Sequence, residues 1–221
     1  MRYEWDPYLI YSTKKNLAKG DVIFSQGETN SGFYYLAKGK VNIQLLSEDG
    51  KERIIDYLTE GFLLGEQGIS GQPYLTTSVC DLDSVLYYFS TETFNHICVK
   101  HPEANRIFMY SLISKIRLLV DRIKMINKPH EQQMAHYFVQ LHKKNNKSPF
   151  SITQISLAKY IGTSRVTVYK IMQKWIEDKL ISRKGQTIHI VDLDKMKALY
   201  KNDIREISVL NLVHIKEGGF Y

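Results

Sequence analysis

The chain has 221 residues, 43% hydrophobic and 24% charged, a balance that suits a folded soluble protein and excludes extended disorder. No apolar run approaches the roughly 18 residues of a membrane span, and "MRYEWDPYLIYS", with acids, a proline and four aromatic side chains, is unlike a secretory signal. A cytoplasmic protein is expected. The net charge of +7 is unevenly placed: residues 1–126 hold 14 basic and 15 acidic side chains, whereas residues 127–221 hold 16 and 8. An excess of that sign, confined to the C-terminal part, is the footprint of a polyanion-binding domain. A plain lysine-rich surface is the alternative. Cys80 and Cys98 make neither a disulfide framework nor a CxxC motif, which suits a reducing compartment and points to no zinc site.

Residues 17–90 read as β-structure. "VIFSQ", "GFYYLAKGKVNIQLL", "RIIDYLTEG" and "VLYYFS" are short, aromatic and β-branched, and glycines recur between them. "SEDGK" (47–51) predicts a hairpin turn centred on Asp-Gly. Strands at this spacing predict a sandwich or barrel-like roll.

From about His101 the period becomes helical. Met109, Leu112, Ile116, Leu119, Ile123 and Ile126 alternate steps of three and four, the a/d seam of a coiled coil, which predicts a parallel homodimer or, as the alternative, a helix packed on its own domain. Ile107, Phe108, Ile113, Leu118 and Val120 supply a second apolar side that can cover the roll. Pro102 suits the first turn, and Asn127 with Pro129 marks the end. Next comes a hinge, "INKPH" (126–130), and then "EQQMAHYFVQLHKK" carries an apolar stripe of Met134, Phe138 and Leu141.

The densest signal is "SITQISLAKYIGTSRVTVYKIMQKWIEDKLISRKGQTIHIVD". Thr153 can cap a helix over "QISLAKYI", Gly162 allows a tight turn, and Ser164 or Thr163 can cap a second helix. Leu157, Ala158 and Ile161 are placed to face Val168, Ile171 and Met172, the spacing of a helix-turn-helix. The free side of the second helix, at about 164–177, then shows Arg165, Val166, Tyr169 and Lys170, at positions that enter a major groove. Arg165 can fork onto guanine O6 and N7, and Val166 can meet a thymine methyl. Lys170 is a point charge for a base edge or phosphate; Ser164 and Thr167 can hold phosphate oxygens. "LISRKGQTIHIV" predicts a hairpin wing around Gly185, with Arg183 and Lys184 placed to touch the DNA backbone.

The order of roll, long helix, hinge and winged helix-turn-helix resembles the cyclic-AMP receptor / fumarate–nitrate reduction regulator (Crp/Fnr) family of bacterial transcription factors. "LAKGDVIFSQGE" (17–28) and "YYLAKGKVNIQLLSEDGKERIIDYLTEGFLLGE" resemble the family's effector domain, and residues 152–190 are similar to its DNA-binding motif. The resemblance implies an α+β fold. Its parts are a β-roll effector domain (1–100), a dimerisation helix and hinge (101–128), and a winged helix-turn-helix domain (129–221). It further implies a cytoplasmic homodimeric regulator, not an enzyme, that reads a palindromic operator in double-stranded DNA. RNA polymerase is an implied further partner. By resemblance Arg165 matches the guanine-reading arginine, and Lys170 stands where the family usually has a second base-contacting arginine. Val166 stands where a glutamate is common, so the usual half-site is not expected.

Gly65 and Glu66 match the pair that meets the ribose and phosphate region of a cyclic nucleotide. The phosphate-pairing arginine is missing: the corresponding stretch reads Tyr74, Leu75, Thr76, and no Arg or Lys lies between Arg53 and Lys100. The Thr-Ser pair that holds the adenine corresponds to Leu118-Leu119. Cyclic AMP is therefore not expected as the ligand. The cysteine cluster of the iron–sulfur branch is absent; Cys80, His96 and His101 are candidates for haem and Cys80 or Cys98 for a thiol switch, with a plain structural role as the alternative. No cofactor is expected, and an unidentified small effector or none at all are the two alternatives. A sensor or interaction module whose helix-turn-helix no longer reads DNA is the rival reading.

Overall fold

Glycine-punctuated strands fold as two facing four-stranded sheets. The structure, a computed structural model, describes residues 4–48, 50, 52–144 and 149–201. Packing divides the chain into two units, one built on Met1–His130 and Ile152–Lys170, the other on Glu131–Ser151 and the chain from Ile171 onward.

In the first unit, strands β1 (Thr13–Leu17), β2 (Val22–Phe24), β3 (Gly32–Lys38), β4 (Lys40–Leu46), β5 (Glu52–Thr59), β6 (Phe62–Leu64), β7 (Thr77–Cys80) and β8 (Ser84–Ser90) form the roll. Their orders are β1-β8-β3-β6 in one sheet and β2-β7-β4-β5 in the other. β4 and β5 pair antiparallel, and Gly50, at φ 75°, turns between them; Asp49 of the expected turn lies outside the described residues. Strand β3 is buried on both faces because its side chains alternate between two cores. Tyr34 and Leu36 join Phe24, Val41, Leu58, Leu64, Tyr74, Cys80 and Leu86 between the sheets. Phe33 and Tyr35 join Trp5, Tyr8, Phe89, Phe94, Ile97 and Phe108 outside them.

That outer core needs helices that strand periodicity does not announce. A 3-10 helix (Asp6–Tyr11) and α1 (Thr91–Lys100) pack Tyr8, Phe94 and Ile97 there. Ser90 caps α1 by accepting a hydrogen bond from the Thr93 amide (3.1 Å). The β region also starts earlier than residue 17, with β1, and is interrupted by a 3-10 turn at Glu66–Ser70.

Helix α2 spans Pro102–Ile126, with Pro102 in its first turn and Asn127 at its C-cap, as the sequence predicts. Its roll side carries Ala104, Phe108, Ser111 and Met125, with Ile107, Lys115, Leu118 and Arg122 half-buried. Ile113 and Val120, expected on that side, are exposed and extend the outer stripe instead. The polar members Ser111 and Lys115 explain the rotation. Glu66 is buried, and a buried carboxylate is costly unless paired. Ser111 Oγ donates to it at 2.6 Å, and the Lys115 ammonium bonds both carboxylate oxygens and the Leu63 carbonyl (3.0 Å).

The second unit has its own core. Helix α3 (His130–Lys144) sets Phe138 against Phe150 and Trp175 at ring distances of 5.2 and 5.3 Å. Met134, Ala135, Tyr137 and Val139 are buried with it, and Leu141 is half-buried. Trp175 Nε1 donates to Glu131 at 2.9 Å. Strand β9 (Phe150–Ser151) adds a third strand to the expected hairpin β10 (Ile181–Lys184) and β11 (Thr187–Ile190). Helix α6 (Leu193–Lys201) closes the described chain, and residues 204–221 lie outside it.

Replacing Lys115 by Met should cost about 3 kcal/mol, because it strands the Glu66 charge in a buried site. The double variant Lys115→Met/Glu66→Gln should recover most of that loss in urea unfolding. A single variant as stable as the parent would remove the ion pair from this account.

Candidate nucleic-acid interface

Helices α4 (Gln154–Ile161) and α5 (Arg165–Glu177) carry the second half of the sequence signal. The Thr153 hydroxyl accepts from the Ser156 amide (3.0 Å), so Thr153 is the N-cap of α4. Gly162, at φ 77°, ends α4 in the left-handed conformation that a side chain would strain. Ser164, not Thr163, caps α5: its Oγ accepts from the Thr167 amide at 3.0 Å and lies 2.9 Å from the Thr167 hydroxyl. The Thr163 hydroxyl sits 3.2 Å from His130 Nδ1. Leu157, Ala158, Ile161, Val168 and Met172 are buried, with Ile171 half-buried, as the helix-turn-helix spacing requires.

The inward positions leave Ser164, Arg165, Val166, Tyr169 and Lys170 exposed on the first two turns of α5, with Thr167 half-exposed. Arg165 Nε donates to Gln154 Oε1 at 3.5 Å, a bond that leaves the guanidinium compatible with a fork from its two terminal nitrogens. The turn is thus an arginine, a lysine, hydroxyls and two apolar groups at one helix N-terminus, a donor-rich surface suited to a phosphate-bearing groove. In the second unit, Arg183 and Lys184 are exposed on the wing; Arg183 Nε donates to the Gly185 carbonyl (2.6 Å), and Gly185 turns at φ 61°.

Sequence reasoning misses the groups that hold α4. Arg53, on β5, donates to the Ile161 carbonyl (2.9 Å). Arg122, on α2, donates to the carbonyls of Ile54 (2.8 Å) and Tyr160 (2.9 Å), with its guanidinium 3.5 Å from the Tyr160 ring centre. Lys159 pairs with Glu52 at 2.9 Å. Two guanidinium groups therefore satisfy the C-terminal carbonyls of α4, where the helix dipole favours a cation. These partners are 38 to 108 residues apart in sequence, so local pattern carries no trace of them.

The roll's ligand-side residues are engaged with one another. Tyr74 is buried, stacks on Phe24 at 4.2 Å and donates to the Gly32 carbonyl (3.2 Å). Burial pushes its phenol far above the usual range, so it stays neutral. A Cβ on Gly65 would meet the Phe24 ring at 3.1 Å. Leu75 is exposed and Thr76 half-buried. Leu118 and Leu119 fall about one helical turn past Lys115; Leu118 is half-buried and Leu119 exposed, and the groups that reach Glu66 are Ser111 and Lys115. A lysine spaced seven and eleven residues from Phe108 and Ala104, on the helix side that also carries Ser111, is the one sequence trace of this pair.

Burial raises the thiol pKa of both Cys80 and Cys98, the reverse of a reactive thiolate. The His101 ring lies tilted against Tyr8 and Tyr11, and the His96 ring meets Tyr11 edge-on. Among the described residues no group of three His, Cys, Asp or Glu side chains is placed to hold a metal ion. No helix among them is long and apolar enough to cross a membrane.

On the outer side of α2, Met109, Leu112, Ile116, Leu119, Ile123 and Ile126 are all exposed, Ile116 by 60% and Ile123 by 69%. With Tyr110, Ile113 and Val120 they make one continuous apolar band.

Residues 14–101 match the cyclic nucleotide-binding domain family, and residues 132–199 match the Crp-like helix-turn-helix domain family. The transcriptional activator protein Anr of Pseudomonas protegens is 25% identical over 205 residues, covering 86% of this chain and 81% of its own. The fumarate and nitrate reduction regulatory protein of Salmonella typhimurium is 22% identical over 198 residues, covering 86% and 79%. FixK2 of Bradyrhizobium japonicum shares the fold at a TM-score of 0.77 and 14% identity, over 86% of this chain and 97% of that one. The two sequence relatives are regulators of transcription, not enzymes. With its β-roll, long helix and winged helix-turn-helix, the chain belongs to the Crp/Fnr family of transcription regulators.

Proposed function

We propose that the chain is a homodimer that inserts two α5 helices into successive major grooves of a palindromic operator. The observation that carries this reading is the exposed Arg165–Val166–Tyr169–Lys170 turn at the start of a helix that Ser164 caps and that buries Val168, Met172 and Trp175 on its inner face. The excess of basic over acidic side chains in residues 127–221 supports it. Dimer symmetry places the half-site centres about 34 Å apart. The apolar band of α2 supports pairing with a second copy, since exposing nine large apolar side chains in one stripe is unfavourable.

The roll, in this reading, works without cyclic AMP. A cyclic phosphate there would lack a cation of its own, because Lys115 is bonded to Glu66, and Phe24 and Tyr74 occupy the space beside Gly65. Any regulation acts through the segment 126–130 between α2 and α3, where a change of backbone angle reorients the helices C-terminal to it.

Arg165→Ala should cost about 1–3 kcal/mol of operator affinity and relax specificity at one base pair. Binding by the parent should weaken steeply with added salt, as phosphate contacts release counterions. An Arg165→Ala protein that binds as tightly and as selectively, or a flat salt response, rules this helix out as the reader. Ile116→Glu, on the exposed band, should shift sedimentation from dimer to monomer without lowering the monomer's helix content; a persistent dimer would place the interface elsewhere.

A further inference from the structure

We propose that Val166, framed by Tyr169, selects thymine through its 5-methyl group at a base pair in the same half-site as the guanine read by Arg165. The proposal rests on the DNA-reading function above and names the base chemistry of the same helix face.

Val166 is 62% exposed and Tyr169 49% exposed, so neither side chain is spent on the core. A single exposed apolar residue is ordinary, but the position of this one is not. Val166 and Tyr169 are three residues apart on a helix, which makes them neighbours on one face. With Gln154 and Arg165 they line a shallow open cleft of about 250 Å³ at the start of α5. Arg165, which lines the cleft, and Lys170, one turn beyond Val166, are exposed cationic groups on the same two turns of α5. A docked duplex therefore meets charge where its phosphates run and hydrocarbon where a base edge faces the cleft.

The major groove carries one apolar group, the C5 methyl of thymine, and every other base edge there is a donor or an acceptor. A valine can neither accept from a cytosine or adenine amino group nor donate to guanine. Those bases, desolvated against Val166, would leave a polar group unpaired, which is costly. Thymine alone presents a methyl that fits the floor. Arg165 and Val166 both stand exposed on the first turn of α5, so this readout falls in the same half-site as the guanine contact. Gln154 Oε1 accepts from Arg165 Nε at 3.5 Å, so the two polar side chains lining the cleft engage each other.

The test starts from an operator selected from random duplexes by the full-length protein, then replaces single thymines by deoxyuridine, which deletes only the methyl. At one thymine per half-site this change should weaken binding by the parent roughly four-fold, the worth of one buried methyl-sized group. At the same position 5-methylcytosine should bind better than cytosine. Val166→Ala, at an exposed site and so with unchanged melting, should reduce the deoxyuridine effect below two-fold while keeping the guanine preference. If an operator is enriched but deoxyuridine is silent at every thymine, or if Val166→Ala keeps the full effect, methyl readout is overturned and DNA reading stands. If no sequence is enriched, both fall.

Discussion

A carboxylate buried in a β-roll has to be neutralised or bonded, and here α2 does both. Ser111 and Lys115 lie four residues apart on one face, and both reach Glu66. That bond fixes the rotation of α2 about its axis. Once Ala104, Phe108, Ser111 and Lys115 face the roll, the residues from Met109 to Ile126 on the opposite side have no choice but to face outward. One buried charge therefore decides where the apolar band of α2 lies. The band in turn decides where a second copy can pair.

The same pair alters what the roll is for. The fold is the one that elsewhere surrounds a cyclic nucleotide, and the chain keeps the Gly65-Glu66 corner, with Gly65 in the left-handed conformation. Its cation is held by an internal acid, and its interior is filled by stacked Phe24, Tyr34 and Tyr74. In the proposed reading the ion pair withholds charge from a phosphate, and the stacked rings withhold space from a base. The roll packs against α2, and Arg53 of the roll together with Arg122 of α2 caps the C-terminus of α4.

Much of this is legible in the sequence because it is local. Glycine spacing, the Pro102 start, the Asn127 stop and the Thr153 and Ser164 caps are all set within a few residues of where they act. Periodicity misplaces Ile113 and Val120, since it marks apolar residues without saying which side of α2 a distant acid will claim. Glu66 lies 49 residues from Lys115, and no window joins them. Helix α1 and the Asp6–Tyr11 turn escape for a similar reason: their packing on Phe33 and Phe89 is a tertiary fact. At the exposed start of α5, Gln154 gives no local signal because its partner Arg165 sits eleven residues on, across the Gly162 turn.

Native mass spectrometry of the full chain, purified without added nucleotide, bears on the whole of this account at once. On the proposed reading it should give twice the 25.8 kDa chain mass with no retained small molecule, since the roll's acid is paired internally and a second copy would cover the α2 band. A bare monomer, or a dimer holding one nucleotide-sized ligand per chain, would contradict it.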